Sequence, residues 1–143
     1  MKSLTDISVG LELPEREFQI RRADLIRYAG ASGDFNVIHW NERVAKEVGL
    51  PNVIAHGMFT MGLAARSVTE WLGNPAAVTE YSCRFTRPVP VPDGDEGATL
   101  VVNAKVSEVI DTPNDPSVVF SLNVTCDSTT VLGKARIVVS LGP

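Results

Sequence analysis

Apolar and polar positions change their period partway along the chain. Up to about residue 77 the apolar residues recur at helical spacing, and from Val78 onward they alternate. "EREFQI" reads as a first strand. "RADLIRYAG" follows as a short helix, with Leu25, Ile26 and Ala29 on one face and Gly30 as its stop. "NERVAKEVG" reads as a second helix, with Asn41 as N-cap and Gly49 at its C-terminal end. The longest predicted helix runs from Gly57 to Leu72 and ends before Gly73-Asn74-Pro75. Apolar or small residues cover most of its circumference, so it is expected to be buried on most sides rather than on one face. Gly62 in its interior is expected to permit close packing against another backbone.

The second half predicts strands. "VTEYSCRF" alternates Tyr81, Cys83 and Phe85; "ATLVVNAKVSEV" comes after the Pro-rich stretch "RPVPVPDGDEG"; "SVVFSLNVTC" and "VLGKARIVVSL" close the chain. Four successive strands predict an antiparallel meander, with the first strand joining its edge. Such a sheet has one apolar face to cover, and the central helix is the element of suitable length. The predicted architecture is α+β: one domain over residues 1–143, a curved antiparallel sheet wrapped around one long central helix.

Composition narrows the class. A chain of 143 residues, 44% hydrophobic and 21% charged, suits one soluble globular domain. No apolar run is long enough for a membrane span, and the N-terminus carries no secretory h-region, so a cytoplasmic location is expected. A net charge of −4 argues against non-specific nucleic-acid binding. The local groups Arg21, Arg22 and Arg27, and Arg84 and Arg87, read as solvated charge or as a small phosphate-facing patch. Cys83 and Cys126 lie far apart in strand-like runs and read as small buried hydrophobes. Neither the cysteines nor the two histidines show metal-ligand spacing, so no metal is expected.

Two stretches can carry chemistry. "GDFNVIH" places Asp34, Asn36 and His39 between two short helices. Asp34 and His39 are separated by ~140° on a helix and point to opposite faces of a strand, so only a loop or a helix-initiating turn can bring them together. A purely structural reading gives Asp34 a cap or turn role, Asn36 a left-handed turn and His39 a satisfied position. The other stretch, "IAHGMFTMG", puts Gly57 at the first turn of the buried helix. There a backbone N–H has no intrahelical acceptor and the helix dipole is positive, which suits a developing oxyanion; alternatively Gly57 only allows a tight turn. His56 reads as structural. Together the stretches match the needs of proton transfer α to a thioester carbonyl: Asp34 and His39 as acid and base, Asn36 holding the water or hydroxyl, and Gly57 N–H as the enolate donor.

"YAGASGDFNVIHW", "IAHGMFTMGLAA" and "YSCRFTRPVPVPDGD" resemble, in order, three signatures of the MaoC-like (R)-specific enoyl-thioester hydratases and dehydratases, which have hot-dog folds. The resemblance covers nearly the whole chain. It is strongest to the catalytic subunit of heterodimeric (3R)-hydroxyacyl-carrier-protein dehydratases of fatty-acid elongation. It implies a single hot-dog domain, Asp34 and His39 as the catalytic pair, Asn36 supporting the water site and Gly57 in the oxyanion hole. It further implies a substrate carried on coenzyme A or on the phosphopantetheine of an acyl carrier protein, no metal or redox cofactor, and a homodimer or a heterodimer with a second hot-dog subunit. The expected reaction is reversible (R)-specific dehydration of 3-hydroxyacyl thioesters. The competing readings are a hot-dog acyl thioesterase and a non-catalytic acyl-channel partner subunit. One departure from the family pattern is Val37, where proline is common after the motif asparagine.

Overall fold

The computed structural model describes residues 6–113 and 115–142. Five strands, β1 (Arg16–Ile20), β2 (Val78–Phe85), β3 (Ala98–Ile110), β4 (Ser117–Cys126) and β5 (Thr129–Ser140), form one antiparallel sheet in the order β1-β3-β4-β5-β2. Three helices accompany it: α1 (Arg22–Ser32), α2 (Glu42–Glu47) and α3 (Gly57–Leu72). Register shifts in β2, β3 and β4 bend the strands. α3 packs across β2, β3 and β4, which is the hot-dog arrangement. Alternation supplies the packing. Leu100, Val102, Ala104 and Val106 of β3 are buried together with Val118, Phe120, Leu122 and Val124 of β4 and Ala135, Ile137 and Val139 of β5. From α3 they receive Ala64, Val68 and Leu72.

α3 has the predicted limits because each end has a backbone reason. Its last turn closes on Gly73, which is left-handed at φ 76° and donates to Thr69 O at 2.9 Å. Its surface is less enclosed than the sequence suggests: Met58, Gly62, Arg66 and Glu70 form an exposed i, i+4 stripe. Gly62 lies on that stripe, and a Cβ there would meet nothing within 4 Å. The expected backbone contact at Gly62 is therefore absent among the described residues.

Four other expectations are corrected. β2 does not pair with β3; it lies at the far edge, beside β5. The Pro-rich connection is a crossover rather than a turn between neighbouring strands of a meander, because its backbone is engaged elsewhere. Val91 N donates to Val53 O at 2.8 Å and Ala55 N to Val89 O at 2.9 Å, with Val89 and Val91 buried. α1 continues past Gly30 to Ser32 and stops at Gly33, whose φ of 77° only glycine adopts readily. On β2, Tyr81 and Cys83 are half-buried as the alternation requires, but Phe85 is 55% exposed because it lies over the N-terminus of α3 instead.

Arg22 fixes the segments below that end of the sheet. Its guanidinium donates to Glu42 Oε2 (2.6 Å), Asn52 Oδ1 (2.5 Å) and Val91 O (3.2 Å), joining α1, α2 and the crossover. No helix among the described residues is long and apolar enough to cross a membrane.

Phe120 is fully buried, with its ring edge-on to Trp71 at 6.1 Å. Phe120→Ala is expected to destabilise the fold by ~3–5 kcal/mol, through lost transfer energy and the cavity left behind. Denaturant unfolding checks this, and an unchanged midpoint would contradict the placement of the core.

Candidate active site

The site begins with the backbone after α1. Gly33 reverses the chain, and Ser32 Oγ donates to Tyr28 O (2.8 Å) while accepting from Asp34 N (3.2 Å). Asp34 Oδ1 then accepts from Asn36 N at 3.1 Å, an Asx turn. Asn36 Oδ1 caps the next N–H but one, Ile38 N, at 3.4 Å and starts a 3-10 turn over Val37–His39. Asn36 has φ −55°, so it acts as a cap without the left-handed conformation considered for it. Val37 takes the first position of that turn, where an N–H is not needed and proline is readily accommodated.

This turn is what unites Asp34 and His39. One donor atom each of Asp34, His39 and His56 lie within 4.8 Å of one another. His39 is 7% exposed, and its Nδ1 lies 2.7 Å from Ile54 O. A carbonyl accepts only, so Nδ1 carries a proton, and in the neutral ring the lone pair is on Nε2. Ile54 is itself held to the turn by its N–H, which donates to Ile38 O at 3.2 Å. Asp34 and Asn36 are exposed.

The second stretch meets the first through His56, the N-cap residue of α3. His56 is 1% exposed; its Nε2 lies 3.1 Å from Asp34 O, and its ring stacks on His39 with centroids 3.7 Å apart and planes 23° from parallel. Tyr28 packs beside it at 4.8 Å. Each ring gives one nitrogen to a carbonyl, His39 Nδ1 to Ile54 O and His56 Nε2 to Asp34 O, which leaves His39 Nε2 and His56 Nδ1 as the nitrogens without a backbone partner.

Gly57 follows at the first position of α3, where its N–H has no intrahelical acceptor. The turn is pinned by Thr60, which is buried and whose Oγ1 donates to Gly57 O at 2.7 Å. A Cβ on Gly57 would stand 2.9 Å from Phe85 Cε1. Asp34, His39, His56, Gly57, Phe85 and Arg87 all line one open cavity of about 720 Å³. All four sequence-predicted site residues are therefore local to one region: Asp34, His39 and Gly57 face the cavity, while Asn36 shapes the turn beneath it. Sequence reasoning gave no chemistry to His56 and placed Phe85 on the sheet face rather than in the site; the contacts of both are long-range, His56 with Asp34 and His39 and Phe85 with Gly57, which no local pattern displays.

The MaoC like domain model matches residues 10–125. The chain belongs to the MaoC-like family. Among members of that family, it is 43% identical over 97 residues to the 3-hydroxyacyl-thioester dehydratase X of Mycobacterium tuberculosis, a match covering 62% of this chain and 34% of that protein. The chain thus spans about a third of that relative's length. A solved MaoC-like dehydratase superimposes with a TM-score of 0.87 at 40% identity, over 96% of this chain and 41% of that one. The unliganded R-hydratase PhaJ1 of Pseudomonas aeruginosa superimposes with a TM-score of 0.80 at 26% identity, over 98% of this chain and 84% of that one. The MaoC-like fold therefore accounts for nearly the whole chain.

Burial pushes the pKa of His56 below the ordinary histidine range. The folded chain then binds a proton there less readily than the unfolded chain does. Stability is full above about pH 6.5, the unfolded value, and falls as pH drops toward and through the lower folded value. Thermal melts between pH 7.5 and 5.5 should show a steeper loss for the wild type than for His56→Gln; equal slopes would contradict this.

Proposed function

We propose that the chain catalyses the reversible (R)-specific dehydration of 3-hydroxyacyl thioesters to trans-2-enoyl thioesters, and so acts as a hydro-lyase. The observation that carries this reading is the 2.7 Å approach of His39 Nδ1 to Ile54 O within reach of Asp34. With Nδ1–H given to Ile54 O, the ring presents a lone pair on Nε2 beside the Asp34 carboxylate, in the cavity that also receives Gly57 N–H. A base, a polar anchor for a hydroxyl and a donor for a carbonyl oxygen are the three groups this elimination needs.

In the dehydration direction, His39 Nε2 takes the α-proton while the thioester oxygen gains negative charge. Gly57 N–H, at the positive end of α3, stabilises that oxygen. Asp34 accepts a hydrogen bond from the β-hydroxyl and holds it near His39. His39 then returns the proton to the departing oxygen, which leaves as water. One proton is taken and one is returned, so the pair ends as it began. Asn36 serves by fixing the turn that carries both groups and by bordering the water site. Neither metal nor redox cofactor enters the sequence of steps.

The acyl group rides on coenzyme A or on the phosphopantetheine of a carrier protein, in fatty-acid elongation or a related acyl pathway. A second hot-dog chain, identical or different, completes the assembly. In support, Phe35, Val37, Trp40, Met58 and Phe85 are 40–63% exposed on or beside the two site segments, an apolar margin unusual for a free surface. Product analysis tests the reaction class. Loss of enoyl absorbance with the thioester intact supports hydration, whereas release of free thiol from the same substrate would instead identify a thioesterase.

A further inference from the structure

We propose that His56 is a positioning residue: its ring ties the Asp34 loop and the His39 imidazole to the first turn of α3, so that the proton-transferring and oxyanion halves of the site are held as one unit. Its kinetic consequence rests on the dehydratase reading; its structural content does not.

Three contacts of different kinds meet in this side chain. Its backbone is the N-cap of α3 and directly precedes Gly57. Its Nε2 lies 3.1 Å from Asp34 O, and since a carbonyl only accepts, Nε2–H is the donor. Its face stacks on His39 at 3.7 Å, while Tyr28 closes in at 4.8 Å. The titratable groups facing it are thus Asp34 from the loop, His39 from the 3-10 turn and Tyr28 from α1.

The remaining nitrogen argues that this ring is there for more than packing. Nδ1 is buried and has no hydrogen-bond partner among the described residues. A buried acceptor without a partner destabilises the fold, and a phenyl ring of similar shape would fill the space without that cost. What phenylalanine cannot do is donate to Asp34 O. What a flexible amide cannot do is present a flat face that fixes the plane of His39. Histidine does both while remaining uncharged. His39 can then accept a proton without a cationic neighbour stacked against it.

The two functions separate by substitution. His56→Phe keeps the ring and drops the donor; His56→Gln keeps a donor near the Nε2 position and drops the ring. In the full chain assayed on a crotonyl thioester, each is expected to lower kcat by ~10²-fold, the order of loss that accompanies a reacting group misplaced by about 1 Å. KM should stay within about threefold, because His56 is 1% exposed and its contacts are with the Asp34 loop and the His39 ring. Imidazole nitrogen–proton NMR correlations supply a readout that does not depend on turnover. At pH 7 the wild-type spectrum should show the His56 proton on Nε2 and a His39 proton on Nδ1, and the His39 resonances should move in either variant. Folded variants with wild-type kcat would overturn the proposal. So would a wild-type His56 protonated on Nδ1, or His39 resonances that stay in place. If one variant does not fold, the other and the wild-type spectrum still decide. Absence of wild-type hydration would instead overturn the dehydratase reading, and the spectra would judge His56 on their own.

Discussion

His39→Gln and Asp34→Asn are each expected to lower hydration of a crotonyl thioester by ~10²–10⁴-fold, the range associated with removal of a positioned acid or base. The two variants fail for different reasons. Glutamine has no lone pair of comparable basicity to place at Nε2, so the proposed acceptor of the α-proton is lost. Asparagine can still accept from Asn36 N, which Asp34 Oδ1 does now at 3.1 Å, so the turn survives while the charge that holds the hydroxyl is lost. Stability should change little for Asp34→Asn, since the residue is exposed. For His39→Gln the lost hydrogen bond to Ile54 O is worth about 1 kcal/mol net. Steady-state kinetics with melting curves on the same preparations check both points. A folded variant that retains near wild-type kcat would remove that residue from the reaction.

Gly57→Ala is expected to give the sharper separation of activity from stability. The backbone at Gly57 is not in the left-handed region, and alanine is a better helix former, so the fold has no reason to reject it. The added Cβ would stand 2.9 Å and 3.0 Å from Phe85 Cε1 and Cδ1, and Phe85 is exposed enough to turn aside. Both the methyl group and the displaced ring then occupy the cavity next to the N–H proposed to receive the thioester oxygen. Loss of one such donor typically lowers kcat by ~10²–10³-fold. The expected result is a melting temperature close to wild type with activity reduced to that extent. Full activity in Gly57→Ala would mean that the oxyanion is held elsewhere.

Much of this was legible in the sequence, and the exceptions share a cause. The limits of α3 could be read because a glycine stands at each end and the apolar spacing between them is helical. β3, β4 and β5 could be read because alternation and short connections are local signals. The place of β2 could not, since the pairing of Val53 and Ala55 with Val91 and Val89 that carries the crossover away is long-range. Gly30 and Gly33 look alike in a helical pattern, yet only Gly33 has the positive φ that ends α1. The site shows the same division. Asp34, Asn36 and His39 could be named from their residue types. Their convergence could not be derived from regular spacing, because an Asx turn leading into a 3-10 turn has neither a helical nor a strand period. His56 was invisible as a working residue because its partners are a backbone carbonyl and a ring from another segment.

The Asp34–His39 turn and the N-terminus of α3 are proposed to form one stereospecific elimination site. Incubation of the chain with racemic 3-hydroxybutyryl thioester, followed by chiral analysis of what remains, tests it most directly. The expected result is conversion of the (3R) isomer to the trans-2-enoyl thioester, with the (3S) isomer left behind and no free thiol formed. Equal consumption of both isomers, or release of free thiol, would contradict it.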